Sequence, residues 1–209
     1  KGDEHELNKK LDLFEFITFI SVYFCFTLSG LLITPFVQLY TNGITDVDYI
    51  QPIFGVLIVM AEGLYLIKEP HLDLSYSANK FKELSVPAFV EAGINILVSI
   101  ILVHKLGLIG VAIGTIAGMT YRMAYQIYFT TKIVKNRKQW IFYKKLLAFS
   151  FVTLIGVAIC HFVPLTEITV WNWVLHAFIY ALIFGVLYLI LSLLLFKKDV
   201  RYLKEYILK

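Results

Sequence analysis

Long apolar runs alternate with short polar, mostly basic ones along the whole chain. Six of these runs reach the roughly 20 apolar residues that a helix needs to cross a bilayer. They are Leu13–Tyr40, Tyr49–Ile67, Val86–His104, Leu106–Thr131, Leu146–Val163 and Val170–Phe196. Each is predicted to be helical, because a strand open to lipid leaves its backbone groups unpaired.

The polar positions between the runs orient them. Of 19 Lys and Arg, Lys105 alone falls in an outer loop and Arg122 alone inside a span, if both ends of the segment are cytoplasmic. The other 17, including Lys80, Lys82, Arg137, Lys145 and the end residues Lys1 and Lys209, lie on one side. That bias predicts six spans with both ends inside. Tyr40, Tyr49, Trp171 and Trp173 are placed at the outer interface, and Trp140 and Tyr143 at the inner one. The tail "KKDVRYLKEYILK" puts Val200, Leu203 and Ile207 on one helical face amid basic residues. It is expected to lie on the anionic inner leaflet, or to be an ordinary basic flank.

Composition agrees with the pattern. The chain has 209 residues, of which 59% are hydrophobic and 16% charged. A soluble domain sits near about 45–50% and 25%. The net charge of +4 follows from the inner basic loops and gives no reason to invoke nucleic acid. The fold class expected is therefore an all-α integral membrane protein.

Motif chemistry is absent. There is no Walker A, HExxH, CxxC or GxSxG sequence, and the five histidines share no metal-site spacing. No enzyme activity, cofactor or metal is expected. Cys25 and Cys160 read as isolated packing residues. The chain opens on "KGDEHELNKK", without a signal peptide or an initiator Met.

The remaining signal is ionisable residues inside the spans, where a charge costs about 3 kcal/mol on insertion scales. These are Glu62, Glu91 and Arg122; Glu15 is expected to be solvated at the inner interface. Glu91, Asn95 and Ser99 recur every four residues on the third span, and Gly110, Gly114, Gly118 and Arg122 on the fourth. A turn at Lys105–Gly107 makes these spans antiparallel. Glu91 then faces Arg122, Asn95 faces Gly118, and Ser99 faces Gly114. Small residues at this spacing let backbones approach in lipid. Two readings of Glu91 and Arg122 stand: a neutralising pair that lets the hairpin insert, or the border of a polar cavity in which Arg122 meets an anionic substrate. Glu62 has a similar depth and forms a weak polar stripe with Gln51 and Gly55. Asn172, His176 and Tyr180 fit helix–helix hydrogen bonding or a substrate path. The inner segment "HLDLSYSANKFKELS", between Pro70 and Pro87, reads as an interfacial helix or a gating loop.

Three elements carry a resemblance: Pro35 with "QLYTNGITDVDYIQP", "NKFKE" before the third span, and "LGLIGVAIGT" after the turn. In that order, over about residues 14–135, they resemble Wzx-type polysaccharide flippases of the multidrug/oligosaccharidyl-lipid/polysaccharide exporter superfamily. The last two spans match in position and hydrophobicity alone. The resemblance implies the C-terminal six-helix lobe of a two-lobe exporter, with an N-terminal lobe as its missing partner. It also implies a bacterial plasma-membrane location and transport of undecaprenyl-diphosphate-linked oligosaccharide, coupled to a proton or sodium ion. Glu62, Glu91, Asn95 and Arg122 become substrate-cavity candidates, and Lys80 and Lys82 headgroup contacts. A multidrug or small-lipid exporter and a non-transporting assembly subunit are the alternatives.

Overall fold

The computed structural model describes residues 4–208, which leaves Lys1 and Lys209 outside the described residues. Eight helices follow one another: α1 Glu4–Tyr40, α2 Pro52–Ile67, α3 Glu69–Ser77, α4 Phe81–Leu106, α5 Leu108–Ile133, α6 Gln139–Cys160, α7 Val170–Leu195 and α8 Lys197–Ile207. No strand occurs among the described residues. The six expected runs correspond in order to α1, α2, α4, α5, α6 and α7.

Four of the six, α1, α4, α6 and α7, are long and apolar enough to cross a membrane. The chain is thus an all-α, multi-pass membrane protein. α2 is short: its 16 residues span about 24 Å at about 1.5 Å per residue, against a hydrocarbon core of about 30 Å. α5 is long enough, but its glycines, tyrosines and Arg122 dilute its apolar character. α1 begins nine residues earlier than the apolar run, because the polar turns Glu4–Asp12 stay helical against α8 and the bundle.

α1 is shared by two halves. On one side it packs with α6, α7 and α8 around Phe16, Phe19, Phe142, Phe149, Phe184 and Tyr188. These rings meet at tilted and edge-on angles, with Phe19 and Phe142 centroids 5.1 Å apart. On the other side α1 packs with α2, α2 with α5, and α5 with α4. α4 leans chiefly on α5, so most of its surface is left to lipid.

Two prolines sit inside helices, and a neighbour donates to the turn before each. A proline has no N–H for the carbonyl four residues back and strains the turn before it. At Pro35 of α1, the Trp173 indole N–H of α7 donates to Leu32 O at 3.2 Å. At Pro87 of α4, the Tyr125 hydroxyl donates to Glu83 O at 3.3 Å and Arg122 Nη1 to Leu84 O at 3.0 Å. In hydrocarbon such carbonyls have no water to turn to.

The segment between Pro70 and Pro87 is helical. α3 fills its first half, with Pro70, His71, Leu72 and Ser75 buried, and the rest forms the first turns of α4. The tail is the amphipathic helix α8, docked on α1 and α7.

Candidate functional site

The α4–α5 hairpin has the register that the glycine spacing sets. A Cβ at Gly118 would stand 2.8 Å from Glu91 O and 3.3 Å from Asn95 Cβ. At Gly114 it would run into Ser99 Oγ and stand 2.8 Å from Asn95 O. At Gly110 it would meet the Leu102 backbone at 2.6 Å. Real Cβ atoms do not approach this closely, so glycine at these three positions is a steric requirement. Asn95 Oδ1 accepts from Ser99 Oγ at 3.1 Å within α4, and Ser99 Oγ also lies 3.4 Å from Val111 O of α5, across the hairpin.

Glu91 and Arg122 meet at the end of that stripe. Arg122 Nε lies 3.9 Å from Glu91 Oε2, an ion pair too long for a hydrogen bond. The closer contact of Arg122 is Leu84 O. Arg122 is buried, whereas the Glu91 side chain keeps 26% of its surface exposed. Glu62 is exposed on α2. Tyr65, one turn further along α2, lies within electrostatic reach of Glu62, Glu69 and Glu91. Glu62 and Glu91 thus both act electrostatically on Tyr65, and Arg122 pairs with Glu91 at 3.9 Å.

Lys80 and Lys82 are exposed where α4 begins, and Lys80 pairs with Glu83 at 3.2 Å. On α7, His176 Nδ1 is 2.8 Å from Asn172 O of its own helix, and Tyr180 donates to Val163 O at 2.9 Å. Asn172 reaches back to Glu167. Gln51 is exposed, and Gly55 faces Ile33 across the α1–α2 contact.

Glu15 corrects the expectation of solvation, because it is among the most deeply buried side chains, at 1% exposure. Glu15 falls on the stripe it shares with Phe19 and Val22, and that stripe faces the core. Arg137 Nη2 donates to its Oε1, and Lys145 Nζ lies 3.2 Å from its Oε2. His71 Nε2 is 3.0 Å from Oε1, within ion-pair distance but poorly aligned for a hydrogen bond. Arg137 also donates to Asp12 at 2.5 Å, and Lys145 sits 3.3 Å from Asp199 of α8. This cluster draws together α1, α3, the α5–α6 turn, α6 and α8. Arg137 and Lys145, counted by sequence among the inner basic residues, have side chains only 3% exposed.

The electrostatics follow from that burial. For Arg137, burial works to lower the pKa, but Glu15 and Asp12 together outweigh it and hold the guanidinium above its usual value. Burial pushes the Asp199 carboxyl up, against the opposing pull of Lys145. A second layer of polar contacts backs His71. Its Nδ1 is 3.0 Å from Thr130 Oγ1, and Gln126 Nε2 donates to His71 O at 2.9 Å and Ser75 Oγ at 2.5 Å.

No group of three or more His, Cys, Asp or Glu among the described residues is arranged to hold a metal ion. Comparison with family models, curated proteins and solved structures finds no match to this chain.

Proposed function

We propose that this chain is one six-helix lobe of a flippase that carries undecaprenyl-diphosphate-linked oligosaccharide units across the bacterial inner membrane, with its ends on the cytoplasmic side. In this reading α2 and α5 complete the six spans, tilted or locally short against the bilayer. A second lobe, on another part of the protein or another chain, supplies the other half of the path. The observation that carries the reading is the exposed Glu62 carboxylate on the apolar helix α2. A carboxylate left open on an apolar helix needs a wet or protein-covered neighbour, and Glu62 is such a group. A cavity between two lobes provides one. The ordered resemblance over residues 14–135 supplies the substrate class.

In this account Glu62, Glu91 and Asn95 line the path, and Arg122 sits behind Glu91, where it sets the position and charge of that wall. Lys80 and Lys82, exposed at the inner end of α4, meet the diphosphate or anionic lipid as it enters. The test is complementation: the intact protein, expressed in a strain that lacks its glycan flippase, restores surface polysaccharide. A restored drug tolerance without restored glycan supports a multidrug or small-lipid exporter instead.

A non-transporting assembly subunit is the second reading. It is favoured by Arg122, whose hydrogen bond goes to the backbone carbonyl of Leu84. It predicts that charge-neutral variants at Glu62 and Glu91 leave glycan export untouched.

A further inference from the structure

The buried cluster around Glu15 does not balance with fixed charges alone. Asp12 and Glu15 of α1 and Asp199 of α8 are three carboxylates, whereas Arg137 and Lys145 are two cations. The nearby Lys68–Glu69 pair is neutral in itself, with 2.9 Å between its charges, as is Lys9–Glu205. An uncompensated buried charge is strongly destabilising. One positive charge is missing, and His71 is the buried group in contact with Glu15 that is able to supply it.

The hydrogen bonds of His71 point the same way. Thr130 has one hydroxyl proton, and it goes to Gln126 O at 3.0 Å. With its proton on Gln126 O, Thr130 Oγ1 accepts at its contact with His71 Nδ1, and Nδ1 is then the ring nitrogen that carries a hydrogen. The other nitrogen, Nε2, faces Glu15 Oε1. If bare, Nε2 sets a lone pair against a carboxylate oxygen inside the protein. If protonated, it places a cation there.

We propose that Glu15 and His71 form a proton-binding site, in which His71 carries a second proton on Nε2 and that proton clamps α3 to α1. The bound proton brings the cluster to three charges of each sign. Its loss leaves the cluster at α1, α3, α6 and α8 with one carboxylate in excess and Glu15 facing a bare Nε2. α3 is the element free to respond, since it is short and links α2 to the first turn of α4. The site is thus a proton-dependent latch on the start of α4. It goes beyond the transport reading and does not rest on it.

The test uses the intact protein in lipid nanodiscs with ring-15N-labelled histidine. The His71 signal is identified by its through-space contact with the Phe142 ring, 5.3 Å away between centroids. The expected result is that both ring nitrogens of His71 bear hydrogen at neutral pH, and that Glu15→Gln loses the Nε2–H signal. A bare ring nitrogen in the unmutated protein at neutral pH overturns the proposal, whether or not Glu15→Gln folds. Hydrogen exchange of the α3 amides supplies the second reading. Their protection is expected to fall over the same pH interval in which the Nε2–H signal disappears. Unchanged protection across that interval overturns the latch.

Discussion

Arg122 of α5 donates to the carbonyl of Leu84 on α4 at 3.0 Å, three residues before Pro87. The charge thus ties α5 to the turn before Pro87 as well as facing Glu91. Replacement by Ala is expected to lower the stability of the protein in detergent by about 1.5–3 kcal/mol, the range for a hydrogen bond from a charged group. Pro87→Ala restores an N–H for Glu83 O, the carbonyl four residues back that the Tyr125 hydroxyl reaches at 3.3 Å. The double variant Tyr125→Phe with Pro87→Ala is therefore expected to be more stable than the sum of its two single effects, in a double-mutant cycle read by thermal unfolding. Strict additivity would remove the Pro87 explanation.

The hairpin makes a contrasting pair of predictions. Gly114→Ala places a Cβ 2.8 Å from a backbone oxygen of α4 and is expected to cost about 1–3 kcal/mol through forced separation of the helices. Gly93→Ala, on α4 with nothing within 4 Å, is expected to be neutral or slightly stabilising. Apparent Tm in detergent distinguishes them, and equal effects would contradict the register.

That register was legible in the sequence because glycines at a spacing of four on one helix opposed polar residues at the same spacing on its antiparallel neighbour. The pairing of Arg122 with Leu84 was not legible. It depends on how far a guanidinium reaches past Glu91 to a carbonyl in the turn before a proline. Glu15 was misread for a different reason. Its closeness to the end of an apolar run suggested water, while its stripe with Phe19 and Val22 pointed to the core. Nothing in the positions of Arg137 and Lys145 separated them from the exposed lysines beside them. Only the packing of α3 and α8 over the end of α1 encloses them. The length of α2 was blurred as well, because Tyr49–Gln51 extends the apolar run before the helix begins at Pro52.

Glu15→Ala is expected to be among the most damaging single substitutions in the chain. It removes the carboxylate that Arg137 and Lys145 share, while Asp12 and Asp199 remain beside them, so the cost is expected toward the lower end of the about 3–5 kcal/mol typical of breaking a buried pair. Asp12→Ala, at a side chain 28% exposed, is expected to cost clearly less. Membrane-inserted protein recovered as a monodisperse species reads both.

Asp199 predicts the opposite sign. Its folded-state pKa is raised by burial, so its contribution to stability is greatest below the ordinary carboxylate range and is lost as pH rises through the raised value. Asp199→Asn is therefore expected to match or exceed the unmutated protein in Tm at neutral pH. The difference is expected to vanish at a pH below about 3.9, the ordinary Asp value. A Tm loss at neutral pH would show that the Lys145 contact outweighs the burial.

The most direct measurement is made at Glu62 and Glu91, because the transport reading assigns them to the path. The intact protein is expressed in a strain without its glycan flippase, with Glu62→Gln and Glu91→Gln introduced singly. Protein in the membrane and lipid-linked oligosaccharide on the inner leaflet are measured together. The account predicts that the unmutated protein restores export, and that both variants reach normal abundance while the lipid-linked precursor accumulates. Normal abundance with undiminished export in both variants would contradict it, as would an unmutated protein that restores no export.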